Sequence, residues 1–195
     1  MVTVGLFLFN DMELLDFAGP YEVFTCTSLE DDPHPFHVFS ISEDGQAIRT
    51  VNGLQILPDF GFDNHPAIDI LIIPGGVGTK AEMEKEDVLG WIAKNHENTK
   101  LTLSVCSGAR LLGKLGLLDG LECTTHHEVM EDLRIIAPKT VILKDLRFTG
   151  GGRVHTSAGV SAGIDLSLHI VEKLLGPDAA SSTKAYMEYE DWDKS

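Results

Sequence analysis

Cys106 stands where two residue patterns meet. Leu101, Leu103 and Val105 alternate as in a buried strand, and Leu111, Leu112, Leu115 and Leu118 recur at helical spacing. Cys106-Ser107-Gly108-Ala109 therefore falls on the sharp strand-to-helix turn of a nucleophile elbow, with Gly108 letting the two elements approach. The free amides and dipole of the helix's first turn favour negative charge on sulfur, and the thiolate is the reactive form. The competing reading is a small buried packing residue. A nucleophilic sulfur also needs a proton partner and a place for developing negative charge. Asp16, in the link after the first apolar run, is the candidate general acid/base. A carboxyl beside a thiolate has its pKa raised by like charge and can donate a proton to the sulfur at neutral pH. Its alternative role is a surface or capping aspartate. The amides of Ser107 and of Gly75 or Gly76, just after the apolar run Asp69 to Pro74, are candidates for an oxyanion-type, substrate-binding site, or else the glycines form a plain turn. His126 and His127 are the histidines best placed to complete a Cys-His pair, or they flank a helix start.

These residues need elements to position them. Val2 to Phe9 is a continuous apolar run, the pattern of a strand covered on both faces, and Phe36 to Ser42 and Asp69 to Pro74 read as a second and a third strand. Gly19-Pro20 is expected to start the first helix, since proline fits a first turn, which leaves Asp16 in the preceding link. Ile48 to Leu57, split by Asn52-Gly53, reads as a hairpin with a type I′ turn. Ala81 to His96 is an amphipathic helix. Thr125, with Glu128 three residues on, matches a capping box for a helix over 126–136. Strands are expected at 121–125, 141–143, 146–148 and 154–157, with Gly150 to Gly152 as a break, and His155, Thr156 and Ser157 lead toward the next helix. Ala158 to Gly163 opens that long helix, which Gly176-Pro177 stops near Leu175. A last helix over 178–189 leaves a frayed acidic tail at 190–195. Strands alternating with helices define an α/β fold, a three-layer α/β/α sandwich with a mainly parallel sheet. Ligands bind such folds at the carboxyl ends of the strands, where Asp16, Gly75-Gly76 and Cys106 converge.

The composition narrows the function. With 195 residues and 43% hydrophobic content, one domain over 1–195 with a substantial core is expected. Thirty acids against fifteen bases leave a formal charge of −15, which argues against nucleic-acid binding. The first apolar run lacks preceding basic residues and a small-residue cleavage site, so it reads as a strand and not a signal peptide. No apolar stretch reaches the ~20 residues that span a bilayer. Cys26, Cys106 and Cys123 contain no CxxC pair, which fits a reducing cytoplasm better than a disulfide framework or zinc site. Cys26 and Cys123 read as packing residues.

The segments LFNDMELLDFAGPYEVF, DILIIPGG, SVCSGARLLGKLGLLDG, TTHHE and TSAGVSAGIDLSLHIVEKLLG, in that order, resemble the ThiJ/PfpI superfamily. The resemblance covers nearly the whole chain and implies the flavodoxin-like sandwich of class I glutamine amidotransferase domains. Proteases of that superfamily carry a histidine directly after the cysteine; Ser107 stands there, so proteolysis is not expected. Redox-protective and glyoxalase-like members usually place a glutamate where Asp16 stands. Aspartate in DFAGPYEVF, with Cys-Ser-Gly and TSAGVSAGID, is similar to the isocyanide (isonitrile) hydratase branch. That resemblance implies a lyase in which Cys106 attacks the terminal carbon of R–N≡C, Asp16 supplies a proton and water releases an N-substituted formamide. It further implies that the Ser107 hydroxyl contacts the site and its amide orients the intermediate, with no cofactor and no metal. The same segments resemble the ligand-binding half of AraC-type regulators, so a non-enzymatic ligand or oxidative-stress sensor is the alternative, with glyoxalase or deglycase activity as a third. Those regulators continue into a helix-turn-helix domain; for this strongly acidic sequence, read as a single domain, a DNA-binding role is not expected. The superfamily resemblance also implies a homodimer.

Overall fold

The computed structural model describes residues 1–189. The expected frayed tail at 190–195 lies outside them. In chain order the elements are β1 (Val2–Phe7), α1 (Leu14–Cys26), β2 (Phe36–Ile41), β3 (Ile48–Arg49), β4 (Gln55–Ile56), β5 (Ile70–Ile73), α2 (Thr79–Glu82), α3 (Glu86–Asn98) and β6 (Leu101–Val105). Then follow α4 (Ala109–Lys114), β7 (Glu122–Cys123), α5 (Met130–Ile136), β8 (Val141–Ile142), β9 (Phe148–Gly151), β10 (Val154–Ser157), α6 (Ala162–Leu175) and α7 (Pro177–Tyr186).

The main sheet runs β2-β1-β5-β6-β10-β9, parallel throughout except for β9, which pairs antiparallel with β10. Side chains alternate across it. Ile70 and Ile72 pack with Val23, Phe24 and Leu166 from α1 and α6. Leu71 and Ile73 pack with Ile92, Leu112 and Leu133 from α3, α4 and α5. Apolar residues on both faces are what a helix-covered parallel sheet requires, and they explain why these strands lack a polar alternation. The result is the flavodoxin-like α/β/α sandwich. Strand order reverses between β1 and β5, which opens a crevice at their carboxyl ends. Among the described residues no helix is long and apolar enough to cross a membrane.

Local structure departs from the sequence expectations in several places. Helix α1 begins at Leu14, so Asp16 lies in its first turn and not in a link, and Pro20 sits inside the helix. A proline there loses only the bond to the Asp16 carbonyl, one turn back. The hairpin turn has Val51 and Asn52 at its centre and Gly53 alone at positive φ (86°), closed by Gly53 N–H to the Thr50 carbonyl. That is an ordinary turn with a glycine bulge, not type I′. The helix expected over 81–96 is split into α2 and α3, with Glu86 and Asp87 complementing the dipole of a new first turn. His126, not Thr125, caps the next segment, accepting from Glu128 N–H, and a short 3₁₀ turn (His127–Val129) precedes α5. Gly150 and Gly151 belong to β9 and only Gly152 turns. His155, Thr156 and Ser157 lie in β10, and 158–161 form a loop before α6.

Candidate active site

The elbow is a strained turn held by two bonds. Cys106 has φ 55°, the left-handed region that a side-chain-bearing residue rarely adopts. Its N–H donates to the Ala158 carbonyl at 3.2 Å, and its own carbonyl accepts from Thr125 Oγ1 at 2.7 Å. A Cβ at Gly108 would lie 2.7 Å from the Pro74 carbonyl oxygen, so only glycine lets the turn press onto the end of β5. Cys106 is 7% exposed and opens into a cleft of about 400 Å³, shared with Glu13, Lys80, Arg110, His126 and Val160.

Asp16 is fully buried against that thiol. Its Oδ2 accepts from Gly75 N–H at 2.9 Å, and its Oδ1 has no hydrogen-bond partner. Burial pushes its pKa from the ordinary 3.8 up to about 7, against the opposing Gly75 bond. The direction matches the sequence expectation, but the cause is chiefly desolvation and not like charge. Cys106 differs from expectation. Burial, and then the charge of Asp16, push its thiol up to about 12, and the amides of Ser107 and Val160 facing the sulfur offset only part of this. The sulfur is therefore not a ready-made thiolate. Burial thus pushes both groups of the pair upward, and the thiol lies above the carboxyl.

The two glycine amides are not free to bind an oxyanion. Gly75 N–H is committed to Asp16, and Gly76 N–H donates to Ser107 Oγ at 2.8 Å. Ser107 Oγ in turn donates to the Gly76 carbonyl at 3.0 Å, so its hydroxyl braces the glycine loop instead of facing substrate. A Cβ at Gly75 would sit 2.6 Å from Ser107 N and 2.8 Å from Asp16 Oδ2, which fixes glycine at that position. The amides left near the sulfur are those of Ser107 and Val160. His126 is half-buried and lines the cleft, with Nδ1 turned to Glu128 N–H, while His127 is exposed. Among the described residues no histidine hydrogen-bonds the Cys106 thiol, so no Cys-His pair forms. Cys123 packs in the core, and Cys26 bonds only to its own helix. No cluster of three or more His, Cys, Asp or Glu suited to a metal ion occurs among the described residues.

Sequence reasoning missed three contributors. Thr125 fastens the Cys106 carbonyl, Val160 brings an amide to the sulfur from a backbone at φ 46°, and Arg110 reaches the cleft while bonded to Asp132 at 2.6 Å and Thr79 Oγ1 at 3.1 Å. Arg110 was discoverable, because it follows Cys106 by one helical turn. The other two depend on tertiary contacts with no local signature.

A buried Asp–Cys pair at an elbow in a 2-1-5-6-10 parallel sheet defines a class, and the chain belongs to the DJ-1/PfpI family, whose model matches residues 2–173. It is 33% identical to the isonitrile hydratase of Pseudomonas putida over 95% of this chain and 78% of that protein. It is 29% identical to the HTH-type transcriptional regulator GbdR of Pseudomonas aeruginosa over 96% of this chain, and spans 51% of that regulator's length. Among solved structures, a ThiJ/PfpI family protein from Pseudomonas syringae superposes with a TM-score of 0.87 at 26% identity, covering 97% of this chain and 76% of that one.

Proposed function

We propose that the protein is a cysteine-dependent hydratase that converts small organic isocyanides to N-substituted formamides. The observation that carries this reading is the buried Asp16 carboxyl, with one unpartnered oxygen, against a Cys106 thiol that borders the cleft, an arrangement suited to a proton relay beside a nucleophile. An isocyanide is a neutral, linear electrophile whose terminal carbon both accepts a nucleophile and, once attacked, takes up a proton at the same atom. As Cys106 Sγ bonds to that carbon, the thiol proton passes to Asp16 and from Asp16 to the carbon, giving R–N=CH–S–Cys106. Water then adds to the thioimidate carbon, and Asp16 takes one of its protons and passes it to the nitrogen. The hydroxyl proton of the adduct next passes through Asp16 to the departing sulfur as the C=O bond forms and the C–S bond breaks. The amides of Ser107 and Val160 hold the charge that develops there. Ser107, Gly75 and Gly76 act by fixing the relay, and His126 borders the substrate.

The similarity to a regulator over almost the whole chain favours a second reading, a ligand or oxidative-stress sensor without turnover. A panel of simple isocyanides and 2-oxoaldehydes, with product identified by NMR, separates the readings. Formamide from the isocyanides, with no lactate from methylglyoxal, is the expected result. Lactate alone would support the glyoxalase reading, and ligand protection of the fold without any product would support the sensor. The homodimer implied by the family resemblance belongs to the same proposal, and light scattering on the purified protein checks it.

A further inference from the structure

The cleft at Cys106 does not end at His126. A second hollow of about 420 Å³ opens on the other side of the imidazole, and His126 and Val160 belong to both. Its remaining walls mix apolar Met130 and Leu146 with Lys144, Arg147 and His127.

Three observations mark this hollow as a ligand site. The first is charge. The chain has twice as many acids as bases, yet among the residues lining this hollow Lys144 and Arg147 outnumber the one carboxylate, Asp145. Arg147 is committed to Asp165 at 2.7 Å and to Ser161 at 3.1 Å, whereas Lys144 is exposed and forms no ion pair among the described residues. The second is an unsatisfied group. Thr124 borders the hollow fully buried, and its hydroxyl has no hydrogen-bond partner. The third is strain. Of five non-glycine residues at positive φ among the described residues, Cys106 lines the first cleft, Asp145 the second and Val160 both. Val160 is β-branched, so its backbone is held against a steric preference, and such outliers collect at ligand sites.

The linearity of R–N≡C supplies the direction. With its carbon on Cys106 Sγ, the substituent R must extend away from the sulfur along the cleft. We infer that the second hollow is the subsite for R, and that it takes a substituent ending in a carboxylate, held by Lys144 beyond the His126 imidazole. This rests on the isocyanide reading for the reaction, though not for the subsite's charge preference.

The test compares ω-isocyanoalkanoates of increasing chain length with their methyl esters. At the length that spans His126, the wild type should show kcat/KM for the acid above that for the ester by roughly fivefold, the order of one exposed ion pair. Lys144→Ala should erase that ratio, Lys144→Arg should keep it, and Lys139→Ala, remote from both hollows, should leave it as in the wild type. Equal rates for acid and ester in the wild type, or a preference that survives Lys144→Ala, overturns the inference. If no isocyanide is consumed, the hydratase reading fails by itself. The subsite is then read from Cys106 alkylation by N-(iodoacetyl)-β-alanine against its methyl ester, followed by peptide mass spectrometry. Faster labelling by the acid, lost in Lys144→Ala, upholds the subsite, and equal labelling rejects it.

Discussion

Cys106→Ala abolishes formamide production, lowering kcat/KM for a simple isocyanide by roughly ten-thousand-fold or more, because the covalent intermediate forms on that sulfur. The fold is expected to persist, since the elbow is fastened by main-chain bonds at Cys106 and by Thr125 Oγ1, none of which uses the sulfur. Assay of formamide release by NMR, with circular dichroism as the fold control, checks both parts. Residual turnover near the wild-type rate would place the chemistry elsewhere.

Asp16→Asn separates activity from stability in opposite directions. The amide still offers an oxygen to Gly75 N–H but cannot relay a proton, so kcat should fall by roughly a hundred- to a thousandfold. Stability should rise at neutral and alkaline pH. A carboxyl whose folded pKa lies near 7, against an ordinary 3.8, contributes fully below the lower value and loses that contribution as pH climbs through the upper one. Wild type and Asp16→Asn should thus have similar stability near pH 4. The gap should widen up to about pH 7 and then level off, at no more than roughly 4 kcal/mol. Urea unfolding at several pH values reads this directly. A variant less stable than wild type at about pH 8 would mean that the buried carboxylate is not under desolvation strain. The same proton affinity sets the wild-type rate profile, since the reactive singly protonated pair accumulates as pH rises through about 7.

The sequence made the sheet legible for a physical reason. Strands covered on both faces exclude charge, so β5 stands out as an unbroken apolar run, β1 and β6 are interrupted only by threonine, glycine and serine, and the elbow is where the β6 pattern turns helical at Cys106. Boundaries were less visible where local signals serve tertiary ends. Gly19-Pro20 looks like a helix start, yet α1 begins earlier and carries Asp16 into the interior. Thr125 has the look of a cap, yet its hydroxyl is spent on the Cys106 carbonyl. The glycine pair at 75–76 was identifiable, but its hydrogen-bond partners, Asp16 and Ser107, lie far away in the chain. The thiol's acidity was not legible at all. Adjacency to a helix dipole argued for a thiolate, whereas burial, which only the packed molecule reveals, pushes the thiol's pKa upward.

The central claim is tested most directly by intact-mass spectrometry of protein mixed with a simple isocyanide and quenched on the millisecond scale. The account predicts a transient species heavier by the whole mass of the isocyanide, located on Cys106 by peptide mapping, slower to form in Asp16→Asn and absent from Cys106→Ala. Formamide released with no such species on Cys106, or an adduct of the same mass that forms equally in Cys106→Ala, would contradict it.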